Sequence, residues 1–337
     1  MLRVAINGFG RIGRMVFRAG LEDPKIEFVA LNDLTENKEL AYLLKYDSAQ
    51  PRWQGDVKAT KDSLVINGKK IKIFGEKEPS DLPWEKLDVD IVVESTGFFT
   101  TRKGASKHLE AGAKKVLVSA PCKCDQGEKP VQTMVMGINE HRYDGDKIVS
   151  NASCTTNCTA PMVKILDEAF GIKSGLLTTV HAYTSSQNLV DAPHKKDPRR
   201  GRAAAVNMVP TTTGAAKAVE EVIPKLKGRL DGVAIRVPVP AGSITDLTVG
   251  LKKKTDPENI NNAFKKAAKG KLKGILEYTD EPLVSSDIVG NNHSVIFDSA
   301  LTRMIGGNFA KVYGWYDNEW GYSNRMIDML HVITGKR

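Results

Sequence analysis

The sequence predicts an α/β protein in two parts, a parallel sheet followed by a mixed sheet, on three observations. The chain opens with a strand, a glycine-rich turn at Gly8-Phe9-Gly10-Arg11-Ile12-Gly13, a helix and a second strand. Short, continuous apolar strands then recur at residues 90–97 and 115–121, as in a parallel sheet buried on both faces. From Gly175 the strands lengthen and helical patterns thin out, which points to an antiparallel or mixed sheet covered by helices on one face.

Residues 2–7 form the first strand, and Met15, Val16, Phe17 and Ala19 give the helical pattern after the turn. Residues 26–31 form the second strand, ending in Asn32-Asp33. Gly8, Gly10 and Gly13 allow a sharp turn and close backbone approach to a pyrophosphate, whose charge the helix N-terminus faces. Asp33 is placed to accept hydrogen bonds from an adenine ribose. A 2′-phosphate about 4 Å from its carboxylate would cost on the order of 4 kcal/mol at an effective dielectric near 20, which favours NAD over NADP. Two short strands at 63–66 and 70–74 are joined by the hairpin signal Asn67-Gly68. Thr96, Gly97 and Ser119 follow the next two strands, and the carboxyl ends of such strands line the ligand crevice. Cys122-x-Cys124 lies in a polar loop with no further ligands at metal-binding spacing, so no metal site is assigned.

The stretch Ser150-Asn151-Ala152-Ser153-Cys154-Thr155-Thr156-Asn157-Cys158 leads from a short apolar run into a helix with Ala160, Val163, Leu166 and Phe170 at helical spacing. Ser153 is the N-cap candidate, so Cys154 falls at a helix start, where free N–H groups favour an anion. That position supplies about 0.3–1 kcal/mol, whereas one unit of thiol pKa is about 1.4 kcal/mol, so a second activating group is required. Of six histidines, His181 closes an apolar strand and precedes hydroxyl residues; an imidazolium beside the sulfur would favour thiolate. A buried cysteine and a buried, hydrogen-bonded histidine are the bland alternatives. Arg200 and Arg236, with Thr184, Thr213 and Gly214, offer donors suited to phosphate. Strands follow at 176–180, 233–239, 245–251, 294–298 and 311–316, with a helix at 215–222 and a terminal helical pattern from Asn318 through Ile333.

The chain has 337 residues, 41% hydrophobic and 26% charged, which suits two ordinary globular domains. No apolar run reaches membrane-spanning length, and four scattered cysteines do not make a disulfide framework, so a reducing cytoplasm is expected. The net charge of +9 favours anionic partners. The densest basic run, 195–202, contains Pro and Gly and lacks aromatics, so it reads as a solvated loop rather than a nucleic-acid platform.

Residues 6–14, 150–158, 211–217, 236–238 and 315–322 together resemble the phosphorylating glyceraldehyde-3-phosphate dehydrogenases. The likeness runs in order along nearly the whole chain. It implies a Rossmann NAD-binding domain over 1–153, completed by a C-terminal helix over 318–337, and an α+β catalytic domain with a mixed sheet over 154–317. It also implies a homotetramer that acts on glyceraldehyde 3-phosphate and inorganic phosphate. Cys154 then corresponds to the nucleophile that forms a hemithioacetal and a thioester, and His181 to its base. Ser153, Thr155, Arg200, Thr213 and Gly214 match the attacking-phosphate region, and Thr184 and Arg236 the substrate-phosphate site. Arg11, Ile12, Asp33, Lys77, Ser119 and Asn318 match cofactor contacts. Ala192-Pro193 fits NAD preference with weak NADP use. Two competing readings remain: an erythrose-4-phosphate dehydrogenase, which releases a free acid, and a basic Rossmann protein that binds RNA.

Overall fold

In the first of two compact units, nine strands form one sheet. The structure, a computed structural model, describes residues 1–335. This unit contains β1 (Leu2–Asn7), α1 (Arg11–Gly20), β2 (Ile26–Asn32), α2 (Asn37–Lys45), β3 (Val57–Ala59), β4 (Ser63–Ile66), β5 (Lys69–Phe74), β6 (Ile91–Glu94), α3 (Arg102–Glu110), β7 (Lys115–Val118), β8 (Gln132–Thr133) and β9 (Ile148–Ser150). The strand order is β3-β4-β5-β2-β1-β6-β7-β9-β8. Only the β3–β4 and β4–β5 pairs are antiparallel. Asn67 and Gly68 both have positive φ, +50° and +80°, as the tight β4–β5 hairpin requires.

The topology reverses at β1, which has β2 on one side and β6 on the other. In an open α/β sheet that reversal opens a ligand crevice at the carboxyl ends of the strands. Register places Asn32, Asn7 and Glu94 in one row across those ends. Below them, Leu2, Val4, Ile6, Leu31, Val92 and Val93 are fully buried, as continuous apolar strands demand.

The second unit is formed by Val135–Asn139 and Ser153–Tyr322. It comprises α4 (Cys154–Phe170), β10 (Ile172–Ala182), β11 (Val209–Thr212), α5 (Ala215–Val222), β12 (Leu230–Val237), β13 (Ser243–Leu251), α6 (Pro257–Lys269), β14 (Leu276–Thr279), β15 (Val295–Ile305) and β16 (Phe309–Tyr316). The sheet is mixed, in the order β11-β12-β10-β13-β16-β15-β14, with β10–β12 and β14–β15 parallel. Alternate residues of β13 are buried, so one face of that strand meets the core.

Helix α7 (Trp320–Thr334) ends the described chain, and from Ser323 onward it groups with the first unit. Its start lies two residues beyond the predicted 318 because Asp317 Oδ1 accepts the N–H groups of Glu319 and Trp320 at 2.8 Å each. The predicted extension to 337 includes residues 336 and 337, which lie outside the described residues. Helices α2 and α6 have no counterpart in the sequence reading, whereas α3 holds His108, which the sequence places in a helical pattern. Helices α3 and α6 each bury only two side chains, Ala105 with His108 and Ile260 with Phe264, which leaves little apolar periodicity to read.

Candidate active site

Cys154 is the first residue of α4. Ser153 is extended, with φ −110°, and its hydroxyl accepts the Thr156 N–H at 3.1 Å, as an N-cap does. The side chain of Cys154 meets the end of β10, where His181 Nε2 lies 3.4 Å from its Sγ. Parallel pairing of β10 with β12 sets Arg236 directly opposite His181, so both side chains stand on one face of the sheet. Arg236 Nη1 lies 2.6 Å from His181 Nδ1 and donates to the Ala182 carbonyl at 3.0 Å. His181 Nδ1 is also 2.7 Å from that carbonyl. The Tyr316 ring meets the imidazole edge-on, with centroids 5.9 Å apart. Its buried hydroxyl bridges Thr155 Oγ1 at 2.9 Å and Thr179 Oγ1 at 2.7 Å.

Burial bears on the protonation of this pair. Burial, reinforced by the Arg236 guanidinium, holds the His181 pKa down at about 3, so the imidazole is neutral at physiological pH. Burial also pushes the Cys154 thiol up, against a smaller opposing pull from Arg236. Each group taken by itself is thus held toward its neutral form, against the thiolate–imidazolium expected from sequence. The helix start is too weak to offset desolvation. Cys158, one turn on, is fully buried against the Gly314 carbonyl at 3.5 Å, and burial raises its thiol strongly. It has no basic partner among the described residues and reads as packing.

The polar residues predicted around the cysteine fall in this same unit. Arg200 is the half-buried member of the Arg199-Arg200 pair, donating through Nε to Thr211 Oγ1 at 2.9 Å, while Arg199 is exposed. The positive charge of Arg200 bears on Arg236, which places the two in one field. Thr211, unassigned in the sequence reading, links Arg200 to Asp197 Oδ2 at 2.8 Å. Thr213 accepts the Ala215 N–H at 3.2 Å, and Gly214 is the N-cap of α5. Thr184 shares a hydroxyl contact with Ser186 at 2.9 Å. Thr155 differs from expectation: its hydroxyl is turned into the core onto Tyr316, which leaves its backbone N–H as its group for an anion. Asn318 is buried and accepts from Ser243 Oγ at 2.9 Å, and Ser243 in turn accepts the Ala182 N–H at 3.1 Å.

In the first unit, Asn7, Gly8, Gly10, Asn32, Asp33, Leu34, Glu76, Lys77, Ser95, Thr96, Phe98 and Phe99 line a cavity of about 450 Å³. The glycine turn fits a dinucleotide on steric grounds. Gly8 has φ +89°, and a Cβ there would lie 2.7 Å from Thr96 N; Gly10 has nothing within 4 Å of its Cβ position, leaving its backbone open to the cavity. A Cβ on Gly13 would lie 2.1 Å from Gly8 O, so that glycine lets the helix close on the turn. Both Asp33 oxygens are oriented by backbone N–H groups, Phe9 at 2.7 Å and Thr35 at 3.0 Å, and each retains a lone pair for a ribose hydroxyl. Arg11 directs its side chain to Asp47 at 2.5 Å, so only its backbone at the start of α1 remains for a cofactor phosphate. Ile12, Gly97 and Ser119 do not line the cavity wall.

Sequence reasoning missed the polar row beneath this cavity. Asn7 Nδ2 donates to Glu94 at 2.6 Å, Asn32 Nδ2 donates to Asn7 Oδ1 at 2.7 Å, and Asn32 Oδ1 accepts the Glu76 N–H at 2.9 Å. Trp84 Nε1 donates to His108 Nδ1 at 3.0 Å, which leaves the Nε2 proton for Glu94 at 3.0 Å. The available signal was a polar residue ending each of three apolar strands.

Among the described residues, no group of three or more potential ligands could hold a metal, and no helix is long and apolar enough to cross a membrane. The family model for the NAD binding domain of glyceraldehyde 3-phosphate dehydrogenase matches residues 2–102, and that for its C-terminal domain matches residues 153–318. The chain is 55% identical to glyceraldehyde-3-phosphate dehydrogenase 2 of Streptomyces avermitilis, covering all of this chain and 99% of that protein. It is 56% identical to the glyceraldehyde-3-phosphate dehydrogenase of Streptomyces coelicolor, again over all of this chain and 99% of the relative. The Priestia megaterium enzyme of the same name is 53% identical over 99% of each.

Proposed function

Because the chain belongs to the glyceraldehyde 3-phosphate dehydrogenase family, we propose that it oxidises D-glyceraldehyde 3-phosphate with NAD and inorganic phosphate to 1,3-bisphosphoglycerate, through an acyl group carried on Cys154. The observation that carries the assignment is Cys154 Sγ at 3.4 Å from His181 Nε2, at a helix start and within the field of Arg236. His181 takes the thiol proton as sulfur attacks the aldehyde carbon. The carbonyl π pair moves to oxygen, and the proton passes from Nε2 to that oxygen, completing the hemithioacetal. NAD, when bound, supplies the hydride acceptor. His181 takes the hydroxyl proton back as the C1–H bond gives up hydride and the carbonyl re-forms, leaving a thioester on Cys154. A phosphate oxygen then attacks the thioester carbon, the sulfur leaves, and the proton on Nε2 returns to it.

Arg236 and Thr184 would hold the substrate phosphate. The buried Nε of Arg236 has no hydrogen-bond partner among the described residues, as expected of a donor that awaits an anion. Arg200, Thr213, Gly214, Ser153 and the backbone of Thr155 would hold the attacking phosphate. Gly8, Gly10, Arg11, Ile12, Gly13, Asp33, Lys77, Thr96, Gly97, Ser119 and Asn318 are assigned to NAD. The domains are read as 1–153 with the terminal helix, and 154–317. A homotetramer is supported by Leu189, Val190, Val206 and Met208, which are 69–77% exposed within one 20-residue stretch. Cys122, Cys124, Cys154 and Cys158 are present as thiols, which suits the cytoplasm.

The test is NADH formation from glyceraldehyde 3-phosphate with and without inorganic phosphate, in the wild type and Cys154→Ser. Sustained turnover should require both phosphate and the cysteine. Turnover to a free acid without phosphate would instead indicate the erythrose-4-phosphate type of chemistry, and activity retained in Cys154→Ser would refute the thioester.

A further inference from the structure

In the polar row beneath the first unit's cavity, the direction of every hydrogen bond is fixed by backbone or by an indole. Asn32, at the end of β2, sits against the backbone of Glu76. Its Oδ1 accepts the Glu76 N–H at 2.9 Å and its Nδ2 donates to the Glu76 carbonyl at 2.9 Å, so the amide cannot be turned over. The second Nδ2 proton needs an acceptor and meets Asn7 Oδ1 at 2.7 Å. That orients the Asn7 amide, and its Nδ2 donates to Glu94 Oε2 at 2.6 Å. A second chain starts at Trp84. Its Nε1 can only donate, so His108 accepts on Nδ1 at 3.0 Å and carries its proton on Nε2, which is 3.0 Å from the same Glu94 oxygen. The other carboxylate oxygen accepts the Thr96 N–H at 2.8 Å and the Thr96 hydroxyl. Four donors therefore converge on one carboxylate, whose side chain is wholly buried.

We propose that Glu94 is a positioning residue for the adenosine half of the dinucleotide: its carboxylate is the common acceptor that sets two walls of the cavity before the cofactor arrives. The inference rests on the reading of this cavity as the cofactor site. Asn7, Asn32 and Glu76 line one wall and are tied to Glu94 through Asn7. Asp33 follows Asn32 and donates its N–H to the Phe74 carbonyl at 3.0 Å, so the ribose acceptor is held with this wall. The other wall is the turn after β6. The Thr96 hydroxyl, while donating to Glu94, accepts the Phe98 N–H at 3.1 Å, so the turn that carries Phe98 is anchored on the carboxylate. Leu34 and Phe98 also line the cavity and are 63% and 85% exposed, apolar surface of the kind a purine would cover. Glu94 itself does not line the cavity, so it acts through these residues and not on the ligand. A glutamine of the same shape cannot take its place. Its nitrogen would oppose Asn7 Nδ2 and His108 Nε2–H in one orientation, and the Thr96 N–H in the other. The neighbours cannot adapt: Trp84 keeps the His108 proton on Nε2, and the Glu76 backbone keeps both asparagine amides from turning over.

The test is calorimetric titration of the protein, stripped of bound nucleotide, with ADP-ribose and with NAD. Glu94→Gln should weaken both by the same factor, about tenfold or more, the scale of one opposed buried donor. It should raise KM for NAD and leave KM for glyceraldehyde 3-phosphate unchanged. A purely structural role would lower the melting temperature without altering the affinity of the folded protein, so an ADP-ribose Kd within about twofold of wild type overturns the proposal. Combining Asn7→Asp with Glu94→Gln restores a donor–acceptor pair between the two positions, and the new carboxylate still accepts from Asn32 Nδ2. ADP-ribose should then bind roughly threefold more tightly than to Glu94→Gln alone, and no recovery speaks against the role of Glu94 as the shared acceptor. The wild type decides the matter even where a variant fails to fold. Hydrogen exchange of the nucleotide-free protein should find the Glu76 and Thr96 amides protected, and exchange of either at the rate of an unstructured chain would show walls that form only around a ligand. Absence of NAD binding to the wild type would sink the cofactor reading of the cavity, whereas wild-type binding with an unaltered Glu94→Gln sinks the role of Glu94 alone.

Discussion

Acidification should destabilise this protein through His181 in a way that His181→Asn abolishes. The folded-state pKa is about 3 against an ordinary value of 6.5, so between those limits the unfolded chain binds a proton that the folded chain refuses. Stability from this group is therefore undiminished above pH 6.5 and falls as the pH drops toward 3. Between about pH 7.5 and pH 4.5 the unfolded histidine gains nearly one proton and the folded one almost none, which removes about 3 kcal/mol. Other groups titrate across the same range. Their contributions are common to both proteins and cancel in the difference. The assay is urea unfolding of wild type and His181→Asn at both pH values, followed by the far-ultraviolet circular dichroism and by a probe in the second unit. The wild type should lose about 3 kcal/mol more than the variant on acidification. Equal losses would mean that His181 titrates normally when folded, and its low folded-state pKa would be wrong.

Other perturbations separate packing from binding. Gly8→Ala should lower the melting temperature by several degrees and weaken NAD binding, because its Cβ would lie 2.7–2.9 Å from Ser95 and Thr96 backbone at φ +89°, a cost of about 2–4 kcal/mol. Gly10→Ala, with nothing within 4 Å of its Cβ, should keep its melting temperature and lose only NAD affinity, measured by fluorescence titration. Tyr316→Phe should cost about 1–3 kcal/mol in denaturant unfolding, since it strips the buried hydroxyls of Thr155 and Thr179 of their shared partner. Asp33→Ala should narrow the ratio of kcat/KM for NAD over NADP by up to about three orders of magnitude, the scale of about 4 kcal/mol. Comparable wild-type values for the two cofactors would show that Asp33 does not discriminate.

Much of the fold was legible because the signals are local. A glycine turn between two apolar strands specifies its own backbone and the helix start after it, and β1 and α5 fall where apolar runs and turn residues put them. His181 was harder to place. The predicted strand stopped at residue 180, whereas β10 runs through Ala182 because pairing with β12 continues to Val237. A strand end is set by the neighbour as much as by its own residues. Likewise α6 buries too few side chains to announce itself, and it forms against a surface that the sequence does not display.

By itself the sequence determined the reactive inventory: a cysteine at a capped helix start, a histidine ending a strand, two arginines, and a glycine turn with a terminal aspartate. Those are properties of residue type and near neighbours, which survive without tertiary context. Only the tertiary structure decided their protonation and pairing. It set Arg236 beside His181 across a parallel register, turned the Thr155 hydroxyl inward to Tyr316, and half-buried Arg200 against Thr211 while leaving Arg199 exposed. Proton affinity depends on burial and on charges brought close from distant parts of the chain, and neither quantity exists until the sheet has formed.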